Sequence, residues 1–214
     1  GGAATSYYSD IPLCIKWGKE GKEIKAFIES VIRNEDNYFL PGLTWSLRAS
    51  SYATRYYPKR TIFGPPGFAL IEKTNNQKEL EVACAITNSR GFQWVLTPQL
   101  QRTIADPAYQ AGMIGSTPFP KIQKSQQEKL AQFSFENFCL RRELDRVNEE
   151  SHAFLLPEIL IHKRLSAWNR DAMVRRIAEN HNATDKLVDL LYEFESPVNL
   201  KQETNRKIPE PTEE

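Results

Sequence analysis

Two different periods of apolar and polar residues mark the start of the chain. In residues 11–17 apolar side chains recur at every second position, a period typical of a half-buried β-strand. In residues 23–32 they recur at helical spacing, with Ile24, Phe27 and Ile28 on one face. The pattern therefore predicts a strand followed by a short helix.

Turn residues separate several short apolar runs in the next part of the chain. The Pro-Gly pair at 41–42 precedes residues 43–47, which are predicted to form a strand. Glycines and prolines at 64–67 lie between the apolar runs 61–63 and 68–71. We predict two strands joined by a turn at this point.

Helical spacing becomes dominant after residue 76. Residues 80–87 are predicted to form a helix, and the spacing of residues 92–100 is compatible with another. Residues 112–120, which two prolines close, are predicted to be extended and to end the first domain.

The following region is predicted to be helical. Ser125 and Glu128 form a capping-box pattern before a long helix. Pro157 starts a short apolar segment, and Ser166 and Thr184 are predicted to cap two further helices.

This order of elements predicts an α+β fold. A small, β-rich or mixed domain would occupy residues 1–120, and a helical spacer or support region would occupy residues 121–196. Residues 197–214 are polar and rich in Pro and Glu, so we predict that they are disordered.

The stretch from residue 37 to residue 71 contains no acidic residue. Its four cations are interleaved with aromatic residues; they are Arg48, Arg55, Lys59 and Arg60. Cations approach phosphates, and guanidinium groups and rings reach base edges or stack on bases, so this pattern indicates a nucleic-acid surface. A solvated basic face, with Trp45, Phe63 and Phe68 in the core, is the simpler alternative.

Composition narrows the class of protein. The 214 residues are 40% hydrophobic and 26% charged, as in ordinary globular domains. No apolar run is long enough to span a membrane and no signal-peptide pattern is present, so we expect a cytoplasmic protein. Cys14, Cys84 and Cys139 are far apart and are expected to be buried, reduced thiols.

The sequence contains no convincing catalytic or metal-binding motif. None of the three histidines lies in an HExxH spacing, and no GxSxG or GxxxxGK[ST] pattern is present. Residues 20–22 and 23–25 fit the ExK end of a nuclease site, but such short patterns arise by chance. A hydrolase whose site forms only in three dimensions stays open as an alternative.

Several segments resemble PglX-like adenine-specific DNA methyltransferases, the large modification enzymes of BREX, DISARM and related phage-defence systems. GGAATSYYSDIPLCIKW is similar to the family pattern KGGxYSPYYxDIxLxVxW. YFLPGLTWSLRASSYATRYYPKRTIFGPPGFALI resembles YFxPGLTWxxRxxxxFSxRxxPxGxIFGxxGxAxF, except that Lys59 and Arg60 replace a small residue and a glycine. Shorter matches follow in the same order at residues 86–89, 112–120, 149–157 and 190–192.

The resemblance implies that this chain is the C-terminal target-recognition region of such an enzyme, with double-stranded DNA as its partner. The catalytic [DNS]PP[YF] tetrapeptide and the FxGxG-type loop for S-adenosylmethionine are absent. We therefore expect no catalysis, no cofactor and no metal here, and expect S-adenosylmethionine to bind the methyltransferase domain of a longer parent protein. The chain would be a piece of that protein.

The acid-free stretch and the matching family segment together select the residues expected to contact DNA. They are Arg48, Ser50, Ser51, Tyr52, Arg55, Lys59 and Arg60. Arg48 and Arg55 are expected at base edges, because a guanidinium can bond bidentately to guanine. Lys59 and Arg60 are expected to anchor phosphates, and Ser50 and Ser51 can donate to either.

A protein-docking module is the alternative function. The same basic face would then bind other subunits of a defence complex, or a phage inhibitor that mimics DNA. An acidic partner that competes with DNA would be its signature.

Overall fold

The described part of the chain, residues 5–64, 67–74, 76–100 and 108–195 of this computed structural model, combines seven α-helices with one three-stranded sheet. The α+β class is therefore confirmed. The helices are α1 (Gly18–Ala26), α2 (Gln77–Thr87), α3 (Arg90–Leu96), α4 (Ala111–Ser116), α5 (Lys124–Leu144), α6 (Glu158–Arg164) and α7 (Arg170–Leu191). No helix in these ranges is both long and apolar enough to cross a membrane.

The sheet is antiparallel, and its middle strand is the first in sequence. Strands β1 (Gly42–Trp45), β2 (Thr54–Tyr57) and β3 (Phe68–Ile71) lie in the order β2-β1-β3. Trp45 is opposite Thr54 on one side and opposite Phe68 on the other. The connection from β2 to β3 must therefore cross from one end of the sheet to the other.

Helix α2 covers one face of the sheet, and the helical region packs behind it. Leu43 and Trp45 of β1 are buried against residues of α2 and α3 such as Cys84 and Phe92. Helix α5 packs on α2, and α7 packs on α5. Helices therefore cover one face of the sheet. The boundary at residue 120 stays a prediction.

The strongest local patterns were predicted correctly. The predicted strand at 43–47 corresponds to β1, the run 68–71 is β3, and residues 80–87 lie in α2. The long helix that begins near Ser125 is α5, although Gln123 and Gln126 form its capping box and not Ser125 and Glu128. Pro157 directly precedes α6.

Several other predictions were wrong. Residues 11–17 form no strand, and residues 11–16 are exposed. Residues 61–63 form no strand either, since β2 takes the place beside β1. Residues 111–116 form helix α4 instead of an extended segment. Ser166 does not cap α7, whose N-cap is Asn169. Thr184 caps no helix either, because it is buried within α7 and its hydroxyl donates to the Asn180 carbonyl oxygen at 2.9 Å.

Cysteine burial was predicted correctly for one residue of the three. Cys84 is buried, whereas Cys14 and Cys139 are exposed. The N-terminal helix also ends earlier than predicted, at Ala26, and leaves Phe27 and Ile28 exposed. Residues 197–214 lie outside the described residues.

Gly42 stands where the sheet has no room for a side chain. A Cβ at this position would lie 2.5 Å from the Leu70 carbonyl oxygen and 2.8 Å from Cε1 of Tyr57. Gly42→Ala is therefore expected to lower the free energy of unfolding by about 1–3 kcal/mol. The matched change Gly115→Ala meets open space in α4 and is expected to raise it by up to about 1 kcal/mol. Urea denaturation measures both, and the same sign for the two variants would contradict the packing at Gly42.

Candidate nucleic-acid interface

The acid-free stretch forms the whole sheet and the two connections between its strands. Residues 46–53 leave β1 and enter β2 at the Trp45 end of the sheet. Residues 58–64 leave β2 at the opposite end, beside Gly42. Because strands rise about 3.3 Å per residue, these ends are about 10 Å apart. The structure therefore places Arg48 near one end, Arg55 on β2, and Lys59 and Arg60 beyond the other end.

The connection that carries Arg48 is held in place from below. Arg48 pairs with Ala108 in an isolated antiparallel bridge, and the Tyr109 N–H donates to the Leu47 carbonyl at 2.7 Å. The Trp45 indole N–H donates to the Tyr109 carbonyl, also at 2.7 Å. Arg48 is exposed, so its side chain is presented from a backbone that the core positions.

Ser50 and Ser51 are exposed on the same connection, whereas Tyr52 is not. The Tyr52 ring is 3% exposed and lies 5.2 Å from the ring of Tyr109 and 5.9 Å from that of Phe92, between centroids. Burial raises the pKa of its hydroxyl far above the ordinary value. The structure therefore makes Tyr52 a core residue that supports the connection, and this corrects its expected place on the DNA surface.

Arg55 lies on the face of the sheet that α2 does not cover. Side chains alternate along β2: the Thr54 hydroxyl bonds Thr87 of α2 at 2.6 Å, and Arg55 points the other way. The Arg55 side chain is half-buried, which lowers the pKa of its guanidinium. Its Nη1 is enclosed and has no hydrogen-bond partner among the described residues. Because Nη1 is sealed from solvent, DNA could meet only the remaining, exposed part of the Arg55 side chain.

Lys59 and Arg60 are exposed in the turn after β2. Arg60 has a φ of 70°, in the left-handed region that favours glycine. The family pattern has glycine at this position, and the backbone conformation explains why. The turn is fixed by Phe39, whose N–H donates to the Thr61 carbonyl at 3.0 Å and whose carbonyl accepts from the Arg60 N–H at 3.3 Å.

The adjacent tyrosines of β2 lie on opposite faces of the sheet, as alternation requires, but both are enclosed. The Tyr56 hydroxyl is 2.7 Å from the Ser134 hydroxyl of α5. Tyr57 covers Gly42 on the other face, and burial raises the pKa of its hydroxyl to about 12. Trp45 is buried as expected of a core residue, whereas Phe63 and Phe68 are partly buried. The aromatic residues of the stretch mainly build the platform.

Asn88 positions the sheet on α2 and was not predicted to do so. Its side-chain oxygen accepts from the Thr54 N–H at 3.0 Å, and its side-chain nitrogen donates to the Thr54 carbonyl at 2.9 Å. The amide thus bonds both backbone groups of Thr54, and the backbone of Tyr7 pairs with β2 through the Thr54 carbonyl and the Tyr56 N–H. The next residue, Ser89, caps α3 by accepting from the Phe92 N–H at 3.2 Å. An Asn-Ser pair before a helix is a capping signal, but nothing local identifies the strand that Asn88 binds.

Comparison with known proteins finds a relative that aligns with nearly the whole chain. No protein-family model matches the chain. The chain is 24% identical over 203 residues to the adenine-specific methyltransferase BrxX of Escherichia coli O9:H4 (strain HS), and this alignment covers 93% of the chain. It covers 15% of that relative, so the chain spans only a small part of its length. The similarity supports a link to adenine-specific methyltransferases of BREX systems.

Proposed function

We propose that this chain is the DNA target-recognition part of a larger adenine-N6 DNA methyltransferase that acts in phage defence. The observation that carries the proposal is the acid-free sheet, which has exposed cations beyond both of its ends. The similarity to BrxX, which extends along nearly all of the chain, supports the same proposal. The rest of the longer protein would bind S-adenosylmethionine and transfer the methyl group. The residues described here would select the DNA sequence.

The positions of the cations assign phosphate contacts and base contacts to different residues. Lys59 and Arg60 are exposed together in one turn and would contact phosphates, which fixes the register of the protein on the duplex. Arg48 is exposed beyond the opposite end of the sheet, on a backbone that Tyr109 holds, so it would read a base edge, helped by Ser50 or Ser51.

Arg55 would contact DNA only through the exposed part of its side chain. Its side chain is half-buried, and its Nη1 is sealed from solvent. A base or phosphate oxygen at its accessible side would offset part of its desolvation.

Selection from a randomised duplex library at two salt concentrations tests the proposal. We expect enrichment of a short motif and an affinity that falls as salt rises. Salt-sensitive binding without enrichment would mean that reading requires the rest of the longer protein. No binding at low salt, together with capture of an acidic protein that competes for the basic face, would replace the proposal with the docking alternative.

Arg48→Lys separates base reading from charge in the same assay. Lysine keeps the positive charge but cannot form the bidentate pair, so preference at one position of the motif should fall by about tenfold or more. The slope of affinity against salt should stay unchanged, because the number of cations is the same. An unchanged preference would remove Arg48 from the reading residues.

A further inference from the structure

A cleft of about 800 Å³ opens beside the Gly42 end of the sheet. Its walls come from the segment after Tyr8, the ends of β1 and β2, the start of α2 and one face of α5. This volume lies within the range of about 300–1,000 Å³ that is usual for small-molecule sites. Of the residues assigned above to DNA contact, only Lys59 lines it.

Aromatic rings form the α5 wall of the cleft. The Phe138 ring is held by Tyr8 and Tyr56, with centroids 5.7 and 5.3 Å away, both edge to face. Phe135 stacks beside Phe138 at 6.3 Å and is itself 46% exposed. An exposed ring in a concave wall is a platform on which a planar ligand can stack.

Polar groups lie at the edge of the same cleft. Asp10 accepts from the backbone N–H of His152 at 3.2 Å and lies 3.0 Å from Nδ1 of that residue. The Glu72 carboxylate is engaged by the backbone N–H groups of Thr74 and Asn76. The acidic groups are therefore held by the protein itself.

Two cations line the cleft together with these groups. They are Lys59 and Arg142. Arg142 is exposed on α5 and has no ion-pair partner within the described ranges. A guanidinium beside an aromatic platform suits a ligand that joins a flat ring to an anionic group.

We propose that this cleft binds a nucleobase that carries a phosphate. The base would stack on Phe135, with its edge toward Asp10 and His152, and the phosphate would lie at Arg142 and Lys59. The ligand is either a free nucleotide or an unpaired nucleotide of a nucleic acid, which share this chemistry. The site is additional to the proposed duplex surface, on which bases stay paired. The test of the cleft does not require duplex binding at that surface.

Two exposed cysteines provide a test with an internal control. Cys14 lines the cleft, whereas Cys139 lies on α5 outside the lining, and both are exposed. The rates at which a maleimide modifies each thiol can be followed by mass spectrometry while AMP or CMP is added. We expect saturating nucleotide to slow modification of Cys14 by about tenfold or more and to leave Cys139 unchanged. Tripolyphosphate alone should protect neither thiol.

A second set of ligands identifies the source of the base. A duplex with one unpaired nucleotide is compared with a fully paired duplex of the same length. Protection by AMP or CMP supports a free nucleotide as ligand. A base within a nucleic acid is supported if AMP and CMP do not protect Cys14 but the duplex with one unpaired nucleotide does. That duplex should act at concentrations at least tenfold lower than the fully paired duplex needs.

Variants of the platform complete the test. Phe135→Ala should raise the ligand concentration for half-protection by about tenfold, and Phe135→Tyr should restore the original value. Leu190→Ala, which truncates an exposed side chain of α7, should change nothing. The proposal is overturned if no nucleotide or duplex protects Cys14, if tripolyphosphate protects equally well, or if the only protection comes equally from the paired and unpaired duplexes.

Discussion

Replacing Phe92 with alanine is expected to lower the free energy of unfolding by about 3–5 kcal/mol. Phe92 is fully buried, and its ring contacts Tyr52 on one side and Phe119 on another, with centroids 5.9 and 5.7 Å away. The truncation would leave a cavity beneath the connection from β1 to β2. For a chain of this length the loss corresponds to a fall in Tm of about 10 °C in a calorimetric scan.

Trp94 provides the control on the same helix. It is 50% exposed, so Trp94→Ala should cost about 1 kcal/mol or less, although the change removes more atoms. The Phe92 variant should also speed hydrogen exchange of the Tyr109 amide, which holds the Leu47 carbonyl, because Tyr52 joins Phe92 to Tyr109. Equal losses from both substitutions would contradict the assignment of Phe92 to the core under Arg48.

Local patterns predicted the elements whose apolar faces make the main contacts. Leu80 and Cys84 are spaced for one face of a helix, and in the structure that face packs on Leu43 of β1. The helix that starts near Ser125 likewise buries Leu130 and Ala131. In these helices the helical period of the apolar residues coincides with the buried face, so the period was enough to predict the helix.

Strand pairing depended on contacts that a local pattern does not contain. Residues 11–17 have the period of a strand, but β1 already has β2 and β3 as its two neighbours. The charge and aromatic rings of residues 54–57 do not by themselves indicate a strand, yet this run pairs with β1 and also bonds the Tyr7 backbone and the Asn88 side chain. Which run joins a sheet is decided by such distant partners.

The sequence predicted which charged residues form the candidate site, but not which residues of the site are exposed and which are buried. The sequence identified the cations Arg48, Lys59 and Arg60, and the structure places all three at the surface. It could not separate Ser51, which is exposed, from Tyr52, which is buried directly after it. That distinction follows from where Phe92 and Tyr109 lie, and these residues are remote in sequence.

Neutralising Lys59 and Arg60 together is expected to weaken duplex binding by about a hundredfold at roughly 0.1 M salt. This prediction rests on the proposed function. Each phosphate contact contributes about 0.9 to the slope of log affinity against log salt, so two lost contacts remove about 1.8 from the slope. Glutamine at both positions removes the charges but keeps the length of the chains and a Cβ at Arg60, whose φ is 70°. Fluorescence anisotropy over a salt series measures affinity and slope together.

Arg175 and Lys186 are the matched control pair, because both are exposed on α7. Changing both to glutamine alters the net charge by the same amount, so any effect of overall charge appears equally in both double variants. We expect the control pair to bind within about threefold of the parent, since long-range attraction is screened beyond about 10 Å at this salt. If both double variants lost affinity alike, DNA would be attracted by the charge of the whole domain. A loss confined to Lys59 and Arg60, with the motif preference intact, would assign that turn to phosphate anchoring and leave base reading to Arg48 and Arg55.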